Sequence, residues 1–207
     1  MKTYKDFCKQ AVAIFNEAID DYHIRDNVDA EVNNPYPFKS IEYYLYLKCW
    51  IDTVQWHMED IIRDPDIDPE EALMIKRRID RSNQDRTDLV ELIDSYFLDQ
   101  FSEVKMQPDA TINTESPAWA IDRLSILQLK IYHMRVEAER PGINEEQRQS
   151  VEAKLSVLLQ QNEDLSQAIT TLLEDMQAGR KYMKVYKQMK MYNDPSLNPV
   201  LYAGGKK

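Results

Sequence analysis

SPAWAIDRLSILQLKIYHMRVE, residues 116–137, is the stretch that decides the fold. Ser116 and Pro117 indicate a helix start, because a serine oxygen can accept a free N–H group of the first turn and proline suits the first helical position. From Ala118 to Met134, 11 of 17 residues are apolar, and they occupy every side of a helical wheel. The pattern predicts a central helix that other helices cover on most faces.

Four further helices are predicted along the chain. In each of them apolar residues recur at alternating spacings of four and three, which is typical of a helix with one buried face. Ser40, Asp68 and Asn144 stand where helix-capping residues are expected. These helices cover residues 3–24, 40–63, 68–98 and 144–179. The predicted fold class is all-α: an antiparallel helical bundle of about five long helices with an extended C-terminal tail.

The chain divides by composition into two parts, a helical bundle domain over 1–179 and a basic, Tyr- and Met-rich helical extension and tail over 180–207 that packs on the bundle. The helical spacing persists across Gly179, where the helix either continues or kinks. Asn162 interrupts the apolar seam of the preceding helix, a pattern typical of coiled coils in which one polar residue fixes the register. This seam and the basic tail are the predicted surfaces for a homo-oligomer.

Charge is distributed unevenly along the chain, whose net charge is −10. Residues 180–207 hold seven Lys or Arg and one Asp, a net charge of +6, so the first 179 residues carry 19 basic against 35 acidic side chains, a net charge of −16. An acidic body repels nucleic acid, so we do not expect a nucleic-acid partner.

The first residues and the predicted helices do not indicate a membrane or secretory protein. The first residues, MKTYKDFCKQ, lack the apolar core of a signal peptide, and no run reaches the roughly 18 apolar residues of a membrane span. Cys8 and Cys49 lie among apolar residues of predicted helices and are typical of reduced core thiols. We therefore expect a cytoplasmic protein with no membrane partner.

Polar side chains occupy positions on three predicted helices where the helical period predicts apolar ones. Burying such groups is costly unless they have partners, so their concentration indicates an interhelical polar pocket. In this hypothesis two arginines hold a phosphorylated or otherwise anionic small molecule, because the planar guanidinium meets such groups with two parallel hydrogen bonds. A histidine donates a hydrogen bond or exchanges a proton, and the acids and the asparagine orient the others. The predicted ligand-binding residues are His57, Asp60, Asn83, Arg86, Asp122, Arg123 and His133.

Two other interpretations stay open. In the first, the same side chains form a buried structural network, and the protein is a non-enzymatic interaction or scaffold protein. In the second, acids at steps of three on the third helix hold magnesium or manganese, as in all-α nucleotide pyrophosphatases; these acids are Asp85, Asp88, Glu91 and Asp94. The matching helix has His57 where that pattern needs an acid, so the sequence assigns no metal ligands and no cofactor. Whether the protein is an enzyme is left open.

Several blocks of the chain resemble a bacterial family known as domain of unknown function 4254. They are WHMEDIIR (56–63), RSNQDR (81–86), SP (116–117), IDRLSIL (121–127), KIYHM (130–134) and MKMYNDP (189–195). The likeness covers nearly the whole chain and implies a single all-α unit, but it brings no established activity. An association of relatives with genes for cell-surface glycan synthesis favours a ligand related to nucleotide sugars.

Overall fold

The computed structural model describes residues 4–186 and 196–197. Within these residues the chain forms five α-helices, which confirms the predicted all-α bundle. They are α1 (Phe7–Arg25), α2 (Ile41–Ile62), α3 (Pro69–Gln100), α4 (Pro117–Ala138) and α5 (Glu145–Gln177). Across the described residues, none of the helices combines the length and the apolar character needed to cross a bilayer.

Helix α4 is the central helix of the bundle and contacts each of the other four. Its buried residues fall on most sides of the helix instead of along one stripe: Pro117, Ala118, Ala120, Ile121, Asp122, Leu124, Ser125, Leu127, Gln128, Leu129 and Ile131. Only a helix surrounded by others can bury residues in this way. The prediction made from residues 116–137 is therefore confirmed.

Local capping signals set the starts of three helices as the sequence predicts. The Ser40 hydroxyl accepts a hydrogen bond from the Tyr43 N–H at 3.0 Å, and the Asn144 side chain accepts one from the Gln147 N–H at 2.8 Å. Asp68 caps α3 by accepting from the first-turn N–H groups of that helix. Each cap satisfies donors that have no partner inside the helix.

The start of α4 differs from the prediction, because Ser116 does not cap its own helix. The Ser116 hydroxyl donates instead to Asp94 on α3, with 2.5 Å between Oγ and Oδ2. The other Asp94 oxygen accepts from the Ala118 N–H at 3.1 Å. A carboxylate from a neighbouring helix therefore caps the central helix, and this contact ties α3 to α4.

Helix α5 ends at Gln177, so the helical spacing through Gly179 does not continue as helix. Gly179 has a left-handed backbone with φ of +70°, and a Cβ atom there would collide with the Lys105 carbonyl oxygen. The chain then pairs as a parallel strand, β2 (Lys181–Tyr182), with β1 (Thr111–Ile112). The predicted basic helix is wrong over residues 180–186, which contain β2 and no helix; the rest of that prediction lies outside the described residues.

The polar interruption in the α5 seam has a partner within the chain. Asn162 Oδ1 accepts a hydrogen bond from Gln128 Nε2 of α4 at 2.7 Å. This half-buried hydrogen bond between two helices favours one alignment of α5 along α4, since a slip would break it. Homo-oligomerisation through this seam stays a prediction.

Candidate functional site

Four charged side chains meet inside the bundle and form what we call the ion-pair cluster: Lys48, Asp52, Arg86 and Asp122. The Lys48 ammonium is fully buried; it pairs with Asp52 one turn further along α2, and lies 2.9 Å from Asp122 Oδ1 on α4. The Ser125 hydroxyl donates to Asp52 Oδ2 at 2.6 Å. Burial raises the pKa of the Asp52 carboxyl, against the opposing effect of Lys48. Because two cations lie beside two acids, each charge has an opposite charge close to it, which offsets part of the cost of removing it from water.

Arg86 is the most loosely held member of this cluster. Its Nη1 atom donates to the two Asp122 oxygens at 3.3 and 3.4 Å, which is long for a contact between charged groups. The Arg86 side chain keeps 24% of its surface exposed. Its Nε atom is buried and has no hydrogen-bond partner. One guanidinium donor therefore has no partner among the described residues.

A cavity of about 200 Å³ lies against Arg86 between α2, α3 and α4. Its polar wall consists of Asp52, Gln55, Glu59, Arg63 and Arg86, and its apolar wall of Trp56, Ile126 and Leu129. We call this space the arginine cavity. It combines two guanidinium groups with two carboxylates and one large aromatic surface.

Asn83 and Asp60 support the walls of the arginine cavity without lining it. The Asn83 side chain accepts from Gln55 Nε2 at 3.0 Å, while Gln55 Oε1 accepts from the Ser82 hydroxyl at 3.0 Å. Asp60 accepts from Arg63 Nη1 at 3.1 Å. These bonds orient two lining residues, Gln55 and Arg63. The role predicted for Asn83 and Asp60, which was to orient Arg86, Arg123 and His57, stays a prediction.

Arg123 does not join Arg86. It is exposed, pairs with Glu115, and lines a groove between α4 and α5 together with Lys130. Successive residues of a helix point about 100° apart, so Asp122 faces α2 and α3 while Arg123 faces α5. The expectation that both arginines converge on one pocket is therefore corrected: only Arg86 reaches the interior.

His57 and His133 lie together in a second group, which His23 of α1 completes. These are all three histidines of the chain, and one ring nitrogen from each lies within 4.8 Å of the others. Among the described residues this is the only group of three His, Cys or acidic side chains placed closely enough to share a metal ion. We call it the histidine cluster.

Aromatic rings hold the histidine cluster in place. The His57 ring stacks on Tyr22 with 5.0 Å between centroids, and the His133 ring stacks on Trp56 at 4.8 Å. Burial lowers the pKa of His57, and burial together with the neighbouring imidazoles lowers the pKa of His133 to about 4. The rings of His57 and His133 are therefore neutral at pH 7.

Unsatisfied polar atoms coincide with these two clusters. Within the described residues, three buried side-chain polar atoms lack a hydrogen-bond partner. Arg86 Nε belongs to the ion-pair cluster, and His133 Nε2 and the Tyr22 hydroxyl lie at the histidine cluster. Such atoms are rare in folded proteins because leaving them unpaired is costly, so they indicate sites that something else completes.

Sequence reasoning missed three of the residues in these clusters, although each left a signal. Lys48 and Asp52 are four apart in the otherwise apolar segment LYLKCWIDTV (45–54), the spacing of a pair on one helix face. His23 follows Ile19 by four residues and so extends the buried stripe of α1. The three acids Asp85, Asp88 and Glu91 belong to no such group, and Asp94 is engaged at the start of α4.

The structure thus defines an all-α bundle with a charged interior and a separate group of histidines. The sequence model of the family described as "Protein of unknown function (DUF4254)" matches residues 42–185, and the chain belongs to this family. The match includes the whole ion-pair cluster but begins after His23. No curated protein and no solved structure matches the chain. Family membership assigns no activity.

Proposed function

We propose that the protein binds a phosphorylated or otherwise anionic small molecule through Arg86 in the arginine cavity. The observation that supports this proposal is that Arg86 lines the cavity while its buried Nε atom has no hydrogen-bond partner. A phosphate or carboxylate oxygen at this position would accept the free N–H. Its negative charge would also compensate a guanidinium whose contacts with Asp122 are long.

The charges around Arg86 support an exchange of partners. Asp122 already has Lys48 at 2.9 Å, closer than Arg86, so it stays paired if Arg86 turns towards a ligand. Arg63 lies at the cavity and pairs with the exposed Asp60 at 3.1 Å and with the half-buried Glu59 at 3.6 Å. Exposed ion pairs of this kind are weak, so Arg63 can reorient to a ligand at little cost.

The size of the cavity restricts what it can enclose. At about 200 Å³ it is smaller than the roughly 300–1,000 Å³ typical of pockets that enclose a drug-sized molecule. It suits a compact group such as a phosphoryl or a carboxylate. In the nucleotide-sugar form of the proposal, only a phosphate of the ligand enters the cavity, and the rest lies outside it.

A thermal-shift experiment on the full chain tests this proposal, with inorganic phosphate, glucose 1-phosphate and a uridine diphosphate sugar as probes. A ligand that binds only the folded state, at about 100 times its Kd, adds about 2.7 kcal/mol of stability and raises the melting temperature. Arg86→Lys keeps the charge beside Asp122 but removes the planar fork, so we expect it to abolish the shift.

The matched control is Arg123→Gln, which removes an exposed arginine that lies outside the cavity. We expect this variant to respond like the unchanged protein. A shift that survives Arg86→Lys, or the absence of a shift with every probe, contradicts the proposal.

The second candidate is a non-enzymatic interaction protein whose interior polar residues only specify packing. The observation in its favour is that most of these residues have partners within the chain, as in the pairs Lys48 with Asp122 and Gln128 with Asn162. Such a protein would bind either a different protein or a second copy of this chain, through the basic tail or the α5 seam. This function requires no response to the three probes.

A cytoplasmic location is part of the same proposal. Both cysteines are buried and neither forms a disulfide, which is typical of proteins from reducing compartments.

A further inference from the structure

The histidine cluster brings together side chains from α1, α2 and α4. His23 Nε2 and His57 Nε2 are 3.2 Å apart. In tetrahedral coordination with zinc–nitrogen distances of about 2.0–2.1 Å, two ligand nitrogens lie about 3.3–3.4 Å apart. This pair therefore already has nearly the separation of two metal ligands.

The orientation of His23 is set by its second ring nitrogen. Nδ1 lies 2.7 Å from the Ile19 carbonyl oxygen, which can only accept, so Nδ1 carries the hydrogen and the Nε2 lone pair points at His57. Histidines that bind metals usually donate their other N–H to a carbonyl or carboxylate in this way. The contact both selects the tautomer and fixes the ring.

His133 supplies the third ring. Its Nε2 atom is buried without a partner, and its ring is clamped face to face on Trp56. One ring nitrogen from each of the three histidines lies within 4.8 Å of the other two. Closing the widest separation to a tetrahedral edge requires a movement of about 1.4 Å, which side-chain rotation can supply.

We propose that His23, His57 and His133 form a binding site for a divalent transition metal ion, with zinc as the ion that the ligand set fits first. Three neutral imidazoles with a fourth position left for water or another ligand are a recurring zinc coordination set. The Asp26 carboxylate at the end of α1 lies 3.9 Å from His57 Nε2 and is available for the fourth position. Without metal, the hydrogen between the Nε2 atoms of His23 and His57 belongs to His57. When the metal binds, it takes the place of this hydrogen, and the neutral His57 ring carries its hydrogen on Nδ1 instead.

This site is separate from the arginine cavity, so the two proposals can fail independently. Trp56 stands between them, with His133 stacked on its ring and the cavity lined by the same side chain. The metal experiment needs no anionic ligand, and the phosphate experiment can be run with a chelator present.

The first test is nitrogen NMR of the full chain without an affinity tag, titrated with zinc chloride. Three histidines give six ring-nitrogen signals, so each ligand atom can be followed directly. We expect saturation at one zinc per chain, with one nitrogen of each ring shifted. Zinc that leaves all six signals in place would falsify the site, as would zinc that shifts the signals of only one ring.

The second test measures zinc affinity in His23→Gln, His57→Gln and His133→Gln, with cobalt(II) absorbance as an independent probe of coordination. Loss of an outer-shell partner typically costs 10–100-fold in metal affinity, so loss of a ligand should cost at least about 100-fold. Asp88→Asn is the control, because Asp88 is an exposed acid on α3 outside the cluster. Affinity that is unchanged in the three histidine variants, or lost in Asp88→Asn, overturns the proposal.

Discussion

Replacing Asp94 with alanine should destabilise the whole bundle, because this carboxylate of α3 caps the N-terminus of the central helix α4. Asp94 is 4% exposed and accepts from both the Ser116 hydroxyl and the Ala118 N–H. Burial raises the pKa of Asp94 more than these two hydrogen bonds lower it. The site therefore requires acceptor oxygens more than it requires a negative charge.

The expected magnitudes follow from these contacts. Asp94→Ala removes two acceptors and leaves the Ala118 N–H unpaired in the interior, and each such loss costs about 1–3 kcal/mol, so we expect a loss of about 2–4 kcal/mol. Asp94→Asn has the same shape and keeps one acceptor oxygen while removing the buried charge, so we expect it to cost about 1 kcal/mol or less. Ser40→Ala, which removes an ordinary cap, provides the reference at about 1 kcal/mol.

Urea denaturation followed by far-UV circular dichroism gives the free energy of unfolding for each variant. The expected order of destabilisation is Asp94→Ala above Ser40→Ala, with Asp94→Asn close to the unchanged protein. If Asp94→Ala costs no more than Ser40→Ala, the contact between α3 and α4 does not hold the central helix. If Asp94→Asn costs as much as Asp94→Ala, the charge matters and the reasoning from burial is wrong.

Three further predictions concern stability. Lys48→Met should cost about 3–5 kcal/mol in urea unfolding because it leaves buried carboxylates short of a cation; a cost below 1 kcal/mol would contradict this. Gly142→Ala, where φ is positive but the space is open, should cost about 1 kcal/mol, and Gly179→Ala at least twice as much because its Cβ meets the Lys105 carbonyl oxygen; equal costs would refute the steric argument. The pKa of His133 is lowered from 6.5, the value for an unfolded chain, to about 4 in the folded protein. Between these two pH values the unfolded chain therefore binds a proton that the folded protein does not. The contribution of His133 to the stability of the chelator-treated protein should thus be fully present above pH 6.5 and be lost as the pH falls towards 4. The loss should be at most about 3 kcal/mol, and smaller because the ring is only half-buried. In His133→Phe this part of the pH profile should be flatter.

Local rules were sufficient to find the five helices of the bundle, because helix formation depends on neighbours three and four residues away. They failed beyond Gly179, where the same spacing continues but the chain forms β2. Ser40 and Asn144 begin their helices with the hydrogen bonds that their side chains predict. Ser116 shows where such rules stop. Its position correctly marks the start of α4, but its hydroxyl does not cap that helix and bonds instead to a carboxylate 22 residues away in the sequence. No local pattern contains that competitor.

The candidate site was predicted in part. Polar residues inside apolar stripes correctly pointed to a charged interior, and Arg86 and Asp122 do meet there. The convergence with Arg123 was wrong, since on a helix that is apolar all round the sequence does not say which neighbour each face meets. Lys48 was missed for the opposite reason, because a lysine in a helix is ordinarily solvated and only the packed bundle shows that it is fully buried.

The amino-acid order by itself determined the number of helices, most of their boundaries and the central position of residues 116–137, since periodicity and capping are properties of short segments. The tertiary structure alone decided which polar groups meet: Lys48 with Asp122 across two helices, and His23 with His57 and His133 across three. The physical reason is that an interior site is made by faces of different helices, and the rotation of each helix about its axis is fixed only when all of them pack together.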